Sequence, residues 1–206
     1  MLVGSTFGTV AEFRSLTFEE DRSAHNKTWS ILIELLRCAG IPPERCFFTN
    51  AYPGLLCDAP PNETKGRRAR DKNVVQLSPA RLDRTYMKTC QGFFQEQLRS
   101  IQPRLVLFLG LFGPYVLGED LLRLSGWGAL LHGSSGKINR FHEVDSAGLS
   151  VVEGVAVPGV SHPATFALLL HPSSRKRNLH LRAALADPGT DDPEVPFLKR
   201  TYSRAL

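Results

Sequence analysis

The chain has 206 residues, which suits one domain, and 42% of them are hydrophobic, which is enough for a real core. The formal net charge of +5 and the sequence pI of about 9.2 are a mild indication of a polyanionic partner. No apolar run approaches the ~18 residues of a membrane span. Met1 is not followed by a basic segment and an apolar stretch, so we expect no signal peptide. These features indicate a soluble cytoplasmic protein with reduced thiols.

The first part of the chain contains two short apolar strands and a helix between them. MLVGSTFGTV predicts a first strand that Gly4 cuts off, followed by a turn through Gly8. KTWSILIELLRCAG predicts a helix that stops at Gly40, because its apolar residues recur at helical spacing. CFFTN predicts a buried strand that ends at Asn50.

A long polar stretch precedes the best strand of the chain. Residues 58–79 combine proline, charge and turn formers, and predict a long basic loop. Residues 81–101 predict a second helix. The inner face of this helix is expected to contain Met87, Phe93, Phe94 and Leu98. RLVLFLG is almost entirely apolar, which is typical of a central parallel strand.

The last part of the chain contains one more core strand. LFGPYVLG predicts a short helix, and the glycine-rich residues 126–161 allow a strand with a hairpin. ATFALLL predicts a core strand, and RNLHLRAALA predicts a final helix. Residues 187–206 turn to proline and acid, then end basic, and predict a poorly ordered C-terminal tail.

The alternation of strands and helices predicts an α/β protein. We expect a three-layer α/β/α fold with a central, mostly parallel four-stranded sheet, formed by a single domain of residues 1–186. Ligands of such sheets bind beyond the carboxyl ends of the strands. Gly4-Ser5-Thr6, Asn50, Gly110 and His171 fall at such ends, so we expect a site at this edge.

Several common catalytic signatures are absent from the sequence. GSSGKI comes closest to a phosphate-binding loop, but it lacks the first glycine and the hydroxyl after Lys137. No serine lies in a GxSxG pattern, and neither HExxH nor CxxC occurs. We interpret Cys38 and Cys46 as small buried hydrophobic side chains.

Three segments, in order, resemble the uracil-DNA glycosylase superfamily, most closely its compact bacterial branches. They are FFTNAY at a strand end, FFQEQLRSIQPRLVLFLG as helix and strand, and HPSSRKRN at a late strand end. The resemblance runs from about Thr28 to Arg182, which is most of the chain. It implies an enzyme that flips uracil or a related deaminated base out of DNA and hydrolyses its N-glycosidic bond.

The resemblance also implies roles for individual residues. Asn50 would read the flipped base, since an amide offers a donor and an acceptor to the edge of uracil. His171 would stabilise the negative charge that grows on the uracil carbonyl, an effect of ~10²–10³ in rate. Ser173 would hold a DNA phosphate through its hydroxyl and backbone N–H. The loop that enters the duplex would contain Arg175, Lys176, Arg177 and Asn178. An aromatic side chain should stack on the base, with Phe7, Phe13 and Phe18 as candidates and Phe18 favoured.

The first motif departs from the family pattern. Family members place Asp, Asn or Glu shortly after the first strand, where it positions or activates the attacking water. The matching residues here are Ser5 and Thr6, whose hydroxyls can orient a water but are poor general bases. Glu12 or Asp21 could also reach the site. Base binding is therefore better supported than hydrolysis.

A second departure concerns cysteine. Some bacterial relatives hold an iron–sulfur cluster with four cysteines. Cys57 and Cys90 lie roughly where two of those ligands would be, but the close-spaced N-terminal pair is missing. We therefore expect no cluster, no other metal and no cofactor.

The sequence leaves three hypotheses open. The first is a monomeric, nucleoid-associated uracil-DNA glycosylase of base excision repair, which binds uracil-containing or similarly damaged DNA and releases uracil. The second is a catalytically weak or inactive member of the same fold that binds uracil-containing, abasic or single-stranded DNA. It is motivated by Ser5 and Thr6. The third is an unrelated α/β hydrolase or nucleotide-binding enzyme, which predicts little DNA affinity.

Overall fold

The structure of the protein is a computed structural model, which describes residues 1–6, 27–52, 84–111, 113–128 and 141–206. Within these ranges five strands form one sheet, in the order β2-β1-β3-β5-β4. The strands are β1 (Leu2–Thr6), β2 (Phe48–Tyr52), β3 (Leu105–Leu109), β4 (Val151–Val155) and β5 (Ala164–Leu169). All neighbouring pairs are parallel except β4 and β5, which are antiparallel.

Six α-helices accompany the sheet in the described ranges. They are α1 (Lys27–Cys38), α2 (Arg84–Ile101), α3 (Gly118–Leu124), α4 (Phe141–Ser146), α5 (Pro172–Asn178) and α6 (Glu194–Ala205). Short 3-10 helices occupy Pro43–Arg45, Gly113–Leu117 and Leu179–Leu185.

Helices cover both faces of the sheet, because successive strand residues point to opposite sides. Leu2 packs in a cluster with residues of α1 and α6, whereas Val3 packs in a second cluster with residues of α2. β3 lies between both clusters and is buried at all five positions. The prediction of an α/β/α fold with a mostly parallel sheet is confirmed. The sheet has five strands rather than four, because β4 from the ambiguous glycine-rich segment adds an antiparallel edge strand.

The inner face of α2 differs in part from its prediction. Phe94 and Leu98 are buried, but Phe93 is 48% exposed. A helix has 3.6 residues per turn, so adjacent side chains point about 100° apart. On α2 this directs Phe94 to the core and Phe93 to the surface. The assignment of Phe93 to the core was therefore wrong.

The C-terminal residues differ from the predicted tail. Residues 194–205 form α6, and Phe197 and Leu198 on this helix are buried in the core. Glu194 and Thr201 on the same helix are also buried. The globular fold thus continues beyond residue 186. The prediction of a poorly ordered tail failed because this polar, proline-containing segment forms a helix with one apolar face.

The predicted basic loop at residues 58–79 lies outside the described residues. Among the helices of the described ranges, none combines the length and apolar character that a membrane crossing requires. The same ranges contain no group of three or more His, Cys, Asp or Glu side chains arranged to hold a metal ion.

Candidate functional site

The carboxyl ends of four parallel strands define the candidate site. β1 lies between β2 and β3, so the chain moves to one side of β1 for β2 and to the other side for β3. Such a reversal of strand order opens a crevice beyond the strand ends, where ligands of parallel sheets bind. Gly4 on β1, Asn50 on β2, Gly110 after β3 and His171 after β5 lie toward this edge.

The side chain of Asn50 lies over Gly4. The two residues are opposite each other in the parallel pair of β1 and β2. A Cβ atom on Gly4 would lie closer than 3.0 Å to Oδ1 of Asn50, a separation that real Cβ atoms essentially never show. The amide of Asn50 therefore uses space that only glycine leaves free. Asn50 is half-buried and lies in the middle of β2, which extends to Tyr52, rather than at the strand end that the sequence predicted.

Gly110 and His171 are neighbours at the ends of β3 and β5. The backbone N–H of Gly110 donates to the carbonyl of Leu169 at 2.7 Å. Gly110 has a φ of +91°, and a Cβ atom there would lie 3.8 Å from Cβ of His171. Because glycine adopts positive φ without strain, the chain turns away at this point and leaves His171 beside the turn.

The imidazole of His171 is held in one tautomer by its own helix. His171 is the N-cap of α5, and its Nδ1 accepts from the backbone N–H of Ser173 at 3.3 Å. Nδ1 also lies 2.8 Å from Oγ of Ser173. A backbone N–H can only donate, so Nδ1 is unprotonated and the neutral ring carries its proton on Nε2.

Burial keeps this imidazole neutral. Desolvation lowers the pKa of His171 below its ordinary value. Nε2 makes no hydrogen bond to the residues that the structure describes. His171 thus presents a neutral N–H donor. This N–H can donate a hydrogen bond to an oxygen that gains negative charge, and the ring needs no change of protonation to do so.

Ser173 contacts the histidine, and its role in holding a DNA phosphate stays a prediction. The residue is exposed, but its hydroxyl and its backbone N–H both point to Nδ1 of His171. Ser173 therefore orients the histidine. A phosphate that took both groups would compete with this contact.

The cationic segment after His171 forms α5 instead of the predicted loop. Lys176 and Arg177 are exposed, and Asn178 is half-buried. Arg175 is only 8% exposed. Its Nε lies 2.9 Å from Oε2 of Glu194, and its guanidinium also pairs with Asp192. Arg175 thus faces the protein interior and does not belong to an exposed DNA-binding loop.

The remaining predicted residues are described only in part or not at all. Ser5 and Thr6 belong to β1, and Thr6 lies opposite Tyr52, but their side chains fall outside the description. Phe7, Phe18 and the alternatives Phe13, Glu12 and Asp21 lie outside the described residues, as does Cys57.

The three described cysteines have different environments. Cys90 is buried in the core near α2's Tyr86, and burial raises the pKa of its thiol. Cys46 is half-buried and donates to the carbonyl of Pro42 at 3.4 Å. Cys38 is exposed at the end of α1, so its prediction as a buried side chain was wrong.

Glu194 is the residue of this region that the sequence did not reveal. Its side chain is fully buried, and Oε1 accepts the backbone N–H of Leu170, the residue before His171, at 2.7 Å. Glu194 was not predicted as a site residue because residues 187–206 were predicted to be a poorly ordered tail. The sequence signal that could have found it is an acidic residue after Pro193 and before an apolar Phe197-Leu198 pair, which indicates a helix start.

No protein-family model matches the chain, and no curated protein sequence matches it.

Proposed function

We propose that the protein is a DNA glycosylase that removes uracil or a related deaminated base. The observation that carries the proposal is the neutral Nε2–H donor of His171 at the same strand-end edge as the amide of Asn50. One group can stabilise developing charge, and the other can recognise a base edge that has both an N–H and a carbonyl.

The proposed reaction breaks the bond between C1′ of the deoxyribose and N1 of uracil. The bonding electron pair leaves with the base, and negative charge spreads onto its carbonyl oxygens. The Nε2–H of His171 donates to one of these oxygens. Water adds its oxygen to C1′, and the proton it releases ends on the departed uracil. A preorganised donor of this kind contributes ~10²–10³ in rate.

Exposed cations next to the histidine suit a DNA backbone. Lys176 and Arg177 on α5 are exposed and follow His171 closely in the chain. Cationic side chains that neutralise phosphates release counterions, so binding through them weakens steeply with salt. A base must leave the stack of the duplex to reach a crevice at the strand ends. Lys176 and Arg177 would bind the phosphates on either side of that base and so hold the distorted duplex.

One observation favours a second candidate, a protein that binds damaged DNA without cleaving it. None of the described residues at the carboxyl ends of β1, β2, β3 and β5 is Asp or Glu. Water oriented by the hydroxyl of Ser5 or Thr6 would have only a weak base beside it. Such a protein would retain recognition by Asn50 and lack turnover.

Single-turnover excision on uracil-containing single- and double-stranded oligonucleotides tests the proposal. His171→Ala and Asn50→Ala should abolish excision or reduce it at least ~10²-fold. His162→Ala is the matched control, since His162 precedes β5 at the opposite edge of the sheet and should excise like the wild type. Wild-type protein that leaves both oligonucleotides intact after alkaline workup would overturn hydrolysis. Asn50-dependent binding without product would establish the second candidate.

A further inference from the structure

A buried carboxylate connects the two chain segments that flank His171. Oε1 of Glu194 accepts the N–H of Leu170 at 2.7 Å, and Oε2 accepts from Nε of Arg175 at 2.9 Å. Leu170 is the residue immediately before His171, and Arg175 lies on α5, the helix that His171 caps. One side chain at the start of α6 therefore binds the backbone just before the histidine and a side chain of the helix that follows it.

Arg182 anchors the same carboxylate from the 3-10 helix Leu179–Leu185. Its Nη1 lies 3.4 Å from Oε1 of Glu194 and donates to the carbonyl of Leu168 at 3.0 Å. Its Nε lies 3.1 Å from Oδ2 of Asp145, close enough for charge attraction although the two atoms are not aligned for a hydrogen bond. The guanidinium carbon lies over the rings of Phe141 and Phe197, at 4.7 and 5.3 Å from their centroids.

Burial and these contacts shift the pKa of Glu194 in opposite directions. Burial raises the pKa of its carboxyl, and the nearby charge of Arg182 opposes this shift. The Leu170 N–H and Arg175 contacts favour the carboxylate as well. An ionised carboxylate that accepts from the Leu170 N–H and from Arg175, with the charge of Arg182 nearby, is the arrangement that these contacts favour.

Stability alone is a poor explanation for such a network. A buried set of charges is costly to desolvate, and apolar side chains of similar volume often give equal or greater stability. The network touches β5 at Leu168, the residue after β5 at Leu170, and α5 at Arg175. What it provides beyond stability is a defined geometry for the strand–helix junction that carries His171.

We infer that Glu194 is a positioning residue for His171. Its carboxylate holds Leu170 and Arg175 so that the N-cap geometry of α5, and with it the Nδ1 contact to Ser173, is maintained. Glu194 acts through these residues and does not touch the substrate. Only the effect on excision rests on the proposed function, since the state of the imidazole can be observed without substrate.

The test follows the His171 imidazole by NMR in Glu194→Leu, Glu194→Gln and Leu198→Ala. Leu198 is fully buried on the same helix and makes no charged contact, so its variant controls for lost stability. We expect Glu194→Leu to lose the single Nε2–H tautomer and to raise the pKa of His171 toward its ordinary value as water gains access. Glu194→Gln keeps one acceptor for Leu170 and should lie between Glu194→Leu and the wild type. Leu198→Ala should keep the wild-type tautomer and pKa.

A second variant covers the case in which Glu194→Leu does not fold. Arg175→Met removes the contact between Glu194 and α5 and leaves the Leu170 contact in place, so it should shift the His171 signals in the same direction. The excision rate constant should fall ~10²-fold in Glu194→Leu with little change in DNA affinity, as expected for misplaced catalytic groups.

The outcomes separate the positioning inference from the proposed function. Glu194 and Arg175 variants with wild-type His171 signals would overturn the positioning role. A Leu198→Ala variant that shifts those signals equally would also overturn it. If Glu194→Leu and Arg175→Met shift the signals but wild-type protein excises no base, the positioning role stands and the glycosylase proposal falls.

Discussion

The amide of Asn50 occupies the space in which Gly4, its partner across the β1–β2 pair, would otherwise carry a side chain. This relationship makes a glycine in the first strand a determinant of how an amide in the second strand is oriented. The atom that a Gly4 Cβ would meet is the end of a flexible side chain, so the amide, rather than the sheet, would move.

Gly4→Ala should therefore weaken recognition without unfolding the protein. We expect its affinity for uracil-containing DNA to fall toward that of Asn50→Ala, because the displaced amide no longer presents its donor and acceptor together. Binding titrations and thermal unfolding measure the two effects. Gly92→Ala is the control, since a Cβ there meets nothing within 4 Å on helix α2. It should bind like the wild type and be stabilised by about 1 kcal/mol. Unchanged binding by Gly4→Ala would show that the amide orientation is unimportant.

His171 should titrate below the ordinary histidine range and carry its neutral proton on Nε2. Two-dimensional NMR of the imidazole nitrogens identifies the tautomer, and the missing signals of His171→Gln provide the assignment. Because burial lowers the pKa in the folded state, the unfolded chain binds the proton more readily. The stability advantage of the neutral ring is complete above a pH of about 6.5 and declines as the pH falls below it.

The lowered pKa of His171 predicts how the free energy of unfolding changes with pH. The unfolding free energy of the wild type should decrease relative to that of His171→Gln between neutral pH and pH of about 5. Chemical denaturation at several pH values measures the difference. A wild type that gains stability relative to His171→Gln on acidification would contradict a lowered pKa.

Arg175 and Arg177 should behave differently although only one residue separates them. Arg175→Ala leaves Glu194 buried without one of its partners and should cost roughly 3–5 kcal/mol of stability. Arg177→Ala removes an exposed cation and should cost little stability. It should weaken DNA binding and reduce the slope of log affinity against log salt by about 1. Denaturation curves and salt-dependent titrations separate the two effects. Equal loss of stability in both variants would contradict the buried ion pair of Arg175.

Removal of α6 should abolish cooperative folding. A chain that ends at Ala186 lacks Phe197 and Leu198, which complete the cluster on the Leu2 face of the sheet. It also lacks Glu194 and leaves Arg182 buried beside Asp145 alone. Circular dichroism and thermal melting should show no sharp transition. A chain that ends at Ala205 should melt like the 206-residue chain. A cooperative transition in the shorter chain would contradict this prediction and show that residues 187–206 are not needed for folding.

The elements of the fold that have a local sequence pattern, such as an apolar run or a terminating glycine, could be predicted. The apolar runs of β3 and β5 identify buried parallel strands, and Gly40 ends α1 with a φ of +75°. Because the carboxyl ends of parallel strands share one edge of a sheet, these two runs also bring Gly110 and His171 to the same edge. Phe93 shows the limit of composition, since an adjacent apolar pair on a helix can be buried at both positions, as Phe197 and Leu198 are, or at only one, as on α2.

The environment of the site was not predictable, because it depends on pairs that are distant in sequence. Arg175 lies within a run of cations, and nothing local distinguishes it from Arg177. Only the fold brings Glu194 to it. The contact between Asn50 and Gly4 likewise depends on strand register, which the sequence does not specify residue by residue.

The position of Glu194 in the chain also affects how the site is assembled during synthesis. The ribosome completes β5 and His171 before it produces Glu194, so the histidine emerges without the carboxylate that holds Leu170 and Arg175. A chain interrupted between the two residues carries the histidine but not its support. The order of translation therefore delays the mature geometry of the strand–helix junction until α6 has docked.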